Sequence, residues 1–311
     1  MADPIRQPID LAKLESYIQQ NVPEIKTPVD VKQDTSIVGT DFYIMSFLPG
    51  RIYEDPALPN LSSEDRRSMW KSAVETLAKF HSVKPADVGM EKFGRPANFY
   101  NRQLKTFATV SEAQAKAVDK DSGVAVGNLP HYHEMTSFFG QQATQPKDRS
   151  TFVHGDYKID NMVFHPTEPY VIGILDWEMA TIGHPLSDVT NLLMPFTTAQ
   201  SPKARSVGRT NPAFVPGATP GMPTKEECMR WYEDVVGWKL LQTEITWADA
   251  FGIYRGSVIM QGITARHALR QASSEKAGDY AAQMKPFGEM GWDFIQELMR
   301  KMEAGSEKAK L

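Results

Sequence analysis

Two short acidic stretches at a fixed separation constrain this chain more than any other feature: VHGDYKIDN at 153–161 and ILDWE at 174–178. Between them lies His165-Pro166-Thr167-Glu168-Pro169, a proline-punctuated turn flanked by apolar residues that suit short strands. A hairpin returns its two ends to the same edge, with strands about 5 Å apart. Asp156, Asn161 and Asp176 therefore converge in space although they are spread along the chain. Converging carboxylates and an amide oxygen are hard ligands suited to Mg²⁺. Phosphoryl transfer asks for little more: a metal, a carboxylate to take the attacking hydroxyl's proton, and a cation near the transferred group.

The bulk sequence fits an ordinary globular protein. The 311 residues are 41% apolar and 23% charged, enough for one large domain or two modest ones. A net charge of −4 argues against a broad nucleic-acid surface. The single cysteine, Cys228, excludes an intrachain disulfide framework and fits a reducing compartment. No apolar run reaches the roughly 18 residues of a membrane span, and MADPIRQPID lacks the apolar stretch of a signal peptide. The final Ala309-Lys310-Leu311 is a small–basic–leucine tripeptide on a polar tail. It predicts recognition by the peroxisomal import receptor, with a cytoplasmic location otherwise.

Periodicity predicts a short helix at 9–20, then a strand pair through SIVGTDFYIM. Ser62 with Asp65 reads as a capping signal for a helix carrying Trp70, Val74, Leu77 and His81. Further helices are expected at about 98–117 and 130–142. Short strands are expected at 152–153, 162–164 and 170–175, and a short helix after Pro185, running through Asp188 to Met194. Five prolines and three glycines make 201–223 a long loop. Three helices then finish the chain, the first opened by Thr224 with Glu227. His131 and His133 form an H-x-H pair without the companions a zinc site needs.

VHGDYKIDN with ILDWE resembles the catalytic and metal loops of the aminoglycoside phosphotransferase and choline kinase-like family, small-molecule kinases related to protein kinases. The stretches SIVGT, FYIM, GRIYEDPALP, FGRPANFYNRQ and FHPTEP, with the run from LDWE to GHPLSD, narrow the resemblance. They are similar to the branch whose animal members are fused to acyl-CoA dehydrogenases and are associated with phosphorylating hydroxyacyl-CoA substrates. The resemblance implies an α+β, protein kinase-like fold of the aminoglycoside phosphotransferase type, mostly its helical C-lobe with a truncated N-lobe. It implies an N-lobe remnant and hinge at 1–50, the C-lobe at 51–303 and an exposed tail at 304–311. It makes Asp156 the catalytic base, Asn161 and Asp176 the Mg²⁺ ligands, and ATP the co-substrate. Lys158 would face the γ-phosphate; a solvated surface lysine is the other reading. His154 would support the loop and Asp188 would brace it, although Ser187-Asp188 also suits a helix start. Glu178 is open between a role near the metal and a salt bridge. Met45, Ser46 and Phe47 would form the hinge that meets adenine.

One part of the family pattern is missing. No glycine precedes Gly39, and Lys13, Lys26 and Lys32 are the lysines before it. The family's phosphate loop, lysine strand and helix are expected between VDVKQ and DTSIVGT, where Gln33 is bonded directly to Asp34. That departure predicts a folded C-lobe with a damaged or absent ATP site. It leaves a phosphotransferase with a shortened N-lobe set against a pseudokinase that binds a ligand or partner without transfer. A metal-dependent hydrolase lacks an accompanying histidine set.

Overall fold

The computed structural model describes residues 47–206, 208, 210–272 and 277–308. The helix expected at 9–20, the strand pair before Ser46, the Gln33–Asp34 junction, Met45, Ser46 and Ala309-Lys310-Leu311 lie outside the described residues. Contacts divide the chain after Pro49, and the unit from Gly50 onward carries both acidic stretches.

Helix α1 (Ser63–Ser82) begins where the Ser62 side chain accepts the Asp65 N–H at 3.0 Å. Such a cap contributes about 1 kcal/mol. The helix buries Trp70, Ala73, Val74 and Leu77. Next come α2 (Phe99–Ala115) and α3 (Tyr132–Phe139). Four short strands follow: β1 (Thr151–Val153), β2 (Met162–Phe164), β3 (Val171–Ile174) and β4 (Thr181–Gly183). Their pairing is nested. β2 and β3 form an antiparallel hairpin with Met162 opposite Ile174, while β1 and β4 form an outer antiparallel pair with Val153 opposite Thr181. The two connections, 154–161 and 175–180, therefore run side by side between the two ladders.

The turn at 165–169 is clamped from outside the hairpin. Arg51 exchanges both backbone hydrogen bonds with Phe164. Its guanidinium donates to the carbonyls of His165 and Glu168, each at 2.9 Å. Gly50 is needed there, since a β-carbon would sit 2.4 Å from the Phe164 carbonyl oxygen.

After the strands, α4 (Leu186–Gln200) continues past Met194, where its end was expected, with Pro195 inside it. The ring removes one helical hydrogen bond. Burial of Phe196, Thr197, Thr198 and Ala199 outweighs that loss. The expected loop at 201–223 is also partly ordered, holding α5 (Pro202–Ser206) and a 3-10 turn at Pro212–Phe214. Pro202 and Pro212 each occupy the first helical position, where a missing N–H costs nothing. The preceding Ser201 and Asn211 side chains cap Ala204 and Ala213.

Helix α6 (Lys225–Val236) opens with a complete capping box between Thr224 and Glu227. Glu227 also pairs with Arg67 of α1 at 2.6 Å, joining the two helices. The core is built on α7 (Gln242–Ala268), whose Trp247, Phe251 and Tyr254 pack with Tyr100 and Phe139. α8 (Ala277–Ala281) and α9 (Met284–Lys308) complete the unit. Among the described residues no helix is long and apolar enough to cross a membrane.

His184, just before α4, is 1% exposed. Its Nε2 donates to the Lys147 carbonyl at 3.1 Å and its Nδ1 accepts the Leu186 N–H at 3.2 Å. Both ring nitrogens are satisfied only in the neutral form, and burial lowers its pKa to about 4. An unfolded histidine takes up its proton near 6.5. Between those values the unfolded chain binds the proton and the native chain does not. Acidification across that window therefore destabilises the fold, by up to about 1.4 kcal/mol per pH unit. Urea unfolding from pH 7 to 4.5 should show this slope, and His184→Gln should flatten it. Equal slopes in the two proteins would rule this origin out.

Candidate active site

The segment after β1 turns sharply at Gly155, whose φ is +87°. A β-carbon there would lie 2.8 Å from the Met179 carbonyl oxygen, so glycine alone lets the two connections touch. The buried carboxylate of Asp188, in the first turn of α4, holds this bend. It accepts the His154 N–H at 2.7 Å and the Gly155 N–H at 2.9 Å. His81 Nε2 lies 3.3 Å from the same carboxylate, and His81 Nδ1 lies 2.7 Å from the Tyr232 hydroxyl. Asp188 thus links the loop to α1 and α6.

His154 joins the two connections. Its Nε2 donates to the Leu175 carbonyl at 2.7 Å, while its Nδ1 accepts the Asp156 N–H at 3.2 Å. This pair of bonds requires the neutral ring with its proton on Nε2. The residue after Leu175 is Asp176, a non-glycine residue in left-handed conformation (φ 60°). Such a conformation costs about 1–3 kcal/mol and persists where the surroundings impose it. Here the Leu175 N–H bonded to the Asn161 carbonyl at 2.9 Å and the His154 contact impose it from both sides.

Asp156 is held by three side chains. Asn161 Nδ2 donates to its Oδ2 at 3.1 Å and to its backbone carbonyl at 2.9 Å. Asn191 Nδ2, from α4, reaches its Oδ1 at 3.4 Å. Lys158 Nζ lies 3.5 Å from Asp156 Oδ2 and 3.0 Å from Asp160 Oδ2. Partial burial pulls the Lys158 pKa down, but the hydrogen bond to Asp160 and the charges of both aspartates outweigh it and raise the pKa. Arg255, from α7, donates to the Gly155 carbonyl at 2.6 Å. Burial lowers its pKa, against the opposing charges of Asp156 and Asp188.

Sequence reading did not single out Asn191 or Arg255. Asn191 stands three residues after Asp188, one turn along the same helix, and that spacing was an available signal. Arg255 lies 100 residues from Gly155, with no local pattern to betray it. Of the remaining expected residues, Phe47 is 87% exposed and Glu178 is exposed on the turn Trp177–Met179. His131 is engaged elsewhere, stacked on Trp292 with its Nε2 3.2 Å from Glu289.

The donor chemistry fits a hard divalent cation. With its Nδ2 hydrogens directed at Asp156, the Asn161 amide has Oδ1 left to face a metal. Asp176 contributes an exposed carboxylate from the adjacent turn. The set is carboxylate and amide oxygen, the donors Mg²⁺ prefers. Among the described residues no cluster of three or more His, Cys, Asp or Glu competes for a metal.

A helical body, a nested four-stranded insert and two acidic connections define a protein kinase-like fold of the aminoglycoside phosphotransferase type. Residues 11–210 match the family model of the phosphotransferase enzyme family (APH), and the chain belongs to that family. It is 30% identical to acyl-CoA dehydrogenase family member 11 of Gallus gallus, over 89% of this chain and 34% of that protein. It is also 30% identical to the Homo sapiens protein of the same name, over 86% of this chain and 32% of that protein. The chain thus spans about a third of the length of these relatives. The crystal structure of a putative aminoglycoside phosphotransferase from Ralstonia eutropha shares the fold. Its TM-score is 0.73 at 24% identity, covering 93% of this chain and 99% of that one.

Proposed function

We propose that this chain transfers the γ-phosphate of ATP to a hydroxyl group, with a hydroxyacyl-CoA as acceptor. The observation that carries the reading is Asp156: a carboxylate positioned by Asn161 and Asn191 on a loop pinned by Asp188, with the connection that carries Asp176 bonded to it through Leu175 and Asn161. Asp156 accepts the acceptor hydroxyl's proton as its oxygen bonds to the γ-phosphorus, and the bond from that phosphorus to the β–γ bridging oxygen breaks to leave ADP. Asn161 Oδ1 and the Asp176 carboxylate would hold Mg²⁺, which when bound neutralises phosphate charge. Lys158, between Asp156 and Asp160, keeps a positive charge at the loop and orients the transferred group.

The junction at Gln33–Asp34 bears on whether transfer occurs as well as on nucleotide affinity, because the covering loop expected there excludes water and positions the phosphates. A missing lysine contact removes about 1.5–3 kcal/mol of triphosphate binding, a factor of roughly ten to a hundred in affinity. Assays therefore belong at millimolar Mg-ATP. Under those conditions a hydroxyacyl-CoA should be phosphorylated and the matching acyl-CoA without the hydroxyl should not. Binding of Mg-ATP and acceptor without turnover would replace this reading by the pseudokinase one.

A further inference from the structure

Beside the Asp156 loop lies a narrow cavity of about 60 Å³. That exceeds the roughly 10–15 Å³ one water needs but falls far short of the roughly 300–1,000 Å³ of pockets for drug-sized ligands. Its walls mix apolar side chains, Phe107 from α2, Met194 from α4 and Phe251 from α7 among them, with polar ones such as Gln103, Ser187 and Thr190. Phe251 is held rigidly by Trp247, stacked on it at 5.3 Å with the rings 9° apart. One end of the cavity reaches Gly155 and Asn191, both bonded into the catalytic loop.

Among the described residues lining this cavity, Arg255 is the one charged side chain, and no carboxylate lines it. Among the described residues it makes one hydrogen bond, from Nη2 to the Gly155 carbonyl. A guanidinium carries five N–H donors. Arg255 is a half-buried cation with donors to spare; Asp156 and Asp188 supply negative charge nearby, and a strongly accepting group in the slot would meet its remaining donors. A polycationic aminosugar would meet the wrong charge here and no carboxylate to bind its ammonium groups. A chain ending in an acyl oxygen would satisfy both walls at once.

We infer that Arg255 binds the acyl oxygen of a short-chain acceptor, with the few carbons the cavity can hold lying beside Phe107, Met194 and Phe251. The assignment rests on the proposed transfer reaction for the position of the acceptor hydroxyl beside Asp156. Arg255 then has two partners. It holds the Gly155 carbonyl from behind, and it offers its remaining donors to a carboxylate or thioester carbonyl, setting acceptor class and loop position together.

Calorimetric titration of the full chain without ATP tests this independently of turnover. The probes are a short-chain hydroxy fatty acid, its CoA thioester, the diol with the carboxyl reduced to CH₂OH, and kanamycin. At least one acyl probe should bind, with the diol and kanamycin weaker by tenfold or more. The stronger acyl arm identifies the source of the oxygen. Arg255→Gln should weaken the acyl probe on the order of ten- to a hundredfold and leave the diol unchanged. Arg255→Lys should recover part of that loss.

Gly252→Leu provides a second variant that does not touch the Gly155 bond. A β-carbon at Gly252 would lie 2.8 Å from Met194 Cε, the movable end of a flexible side chain, so the larger residue fills the slot. It should abolish binding of the acyl probe in a protein that still unfolds cooperatively. Equal losses for acyl probe and diol in Arg255→Gln, tight binding of kanamycin, or no binding of either acyl probe would overturn the assignment. Arg255-dependent binding without phosphorylation at millimolar Mg-ATP would leave it standing and remove the transfer reaction instead.

Discussion

Replacing Asp156 with asparagine is expected to lower the turnover of ATP-dependent phosphorylation by about 10²–10⁴-fold, the usual contribution of a positioned general base. Asparagine keeps the size of the side chain and one acceptor oxygen. It cannot take the hydroxyl's proton at neutral pH. The side chain is 34% exposed, so solvent screens its ionic contacts and the exchange should change stability by less than about 1 kcal/mol. The informative comparison is therefore kcat against the urea midpoint. A large loss of turnover at an unchanged midpoint supports a base in direct contact with the acceptor. Turnover within threefold of the original would remove Asp156 from that role.

Asp188→Ala should act in the opposite way, through stability first. The carboxylate is 0% exposed and accepts two consecutive backbone N–H groups while facing His81. Its removal leaves two buried donors without an acceptor. Each orphan costs about 1–3 kcal/mol, so the variant should lose about 3 kcal/mol or more. Asp188→Asn retains one acceptor oxygen and should fall between the two. Urea unfolding of the three proteins measures this directly. A loss below 1 kcal/mol for Asp188→Ala would show that the loop holds its bend without the aspartate. Because His154 and Gly155 lead into Asp156, the surviving folded fraction should also turn over more slowly.

Asp156, proposed to touch the acceptor, and Asp188, which shapes the loop, should thus respond differently to substitution. Both carboxylates come from short polar motifs, and burial distinguishes them. Asp156 reaches solvent and can meet an acceptor, whereas Asp188, in the first turn of α4, is sealed beneath the loop and meets only protein. HGD and LSD look alike as strings of residues. Only the packing of α1, α4 and α6 around the loop gives them different surroundings.

Local patterns also explain which elements were legible. Ser62 with Asp65 and Thr224 with Glu227 announce α1 and α6, because a cap is a contact between residues three apart. The hairpin of β2 and β3 is equally local, with its turn at His165-Pro166. β4 was not legible, since Thr181, Ile182 and Gly183 are strand only because Val153, Phe152 and Thr151, some thirty residues earlier in the chain, lie opposite. Prolines misled in both directions. Pro195 reads as a helix end but is carried inside α4 by burial, and Pro202 and Pro212 read as loop but start helical turns.

The sequence by itself determined the family and the chemical kit: two aspartates and an asparagine at hairpin spacing, a lysine two residues from the first aspartate, and a histidine two before it. Those signals survive in one dimension because each depends on neighbours a few residues apart. Tertiary structure alone decided what surrounds that kit. It placed Asn191 on Asp156, buried Asp188 under the loop, set Arg255 against Gly155 from 100 residues away, and lined the adjoining slot with aromatic rings. Such contacts join helices distant in the chain, and their partners are chosen by packing the core, which no local spacing records.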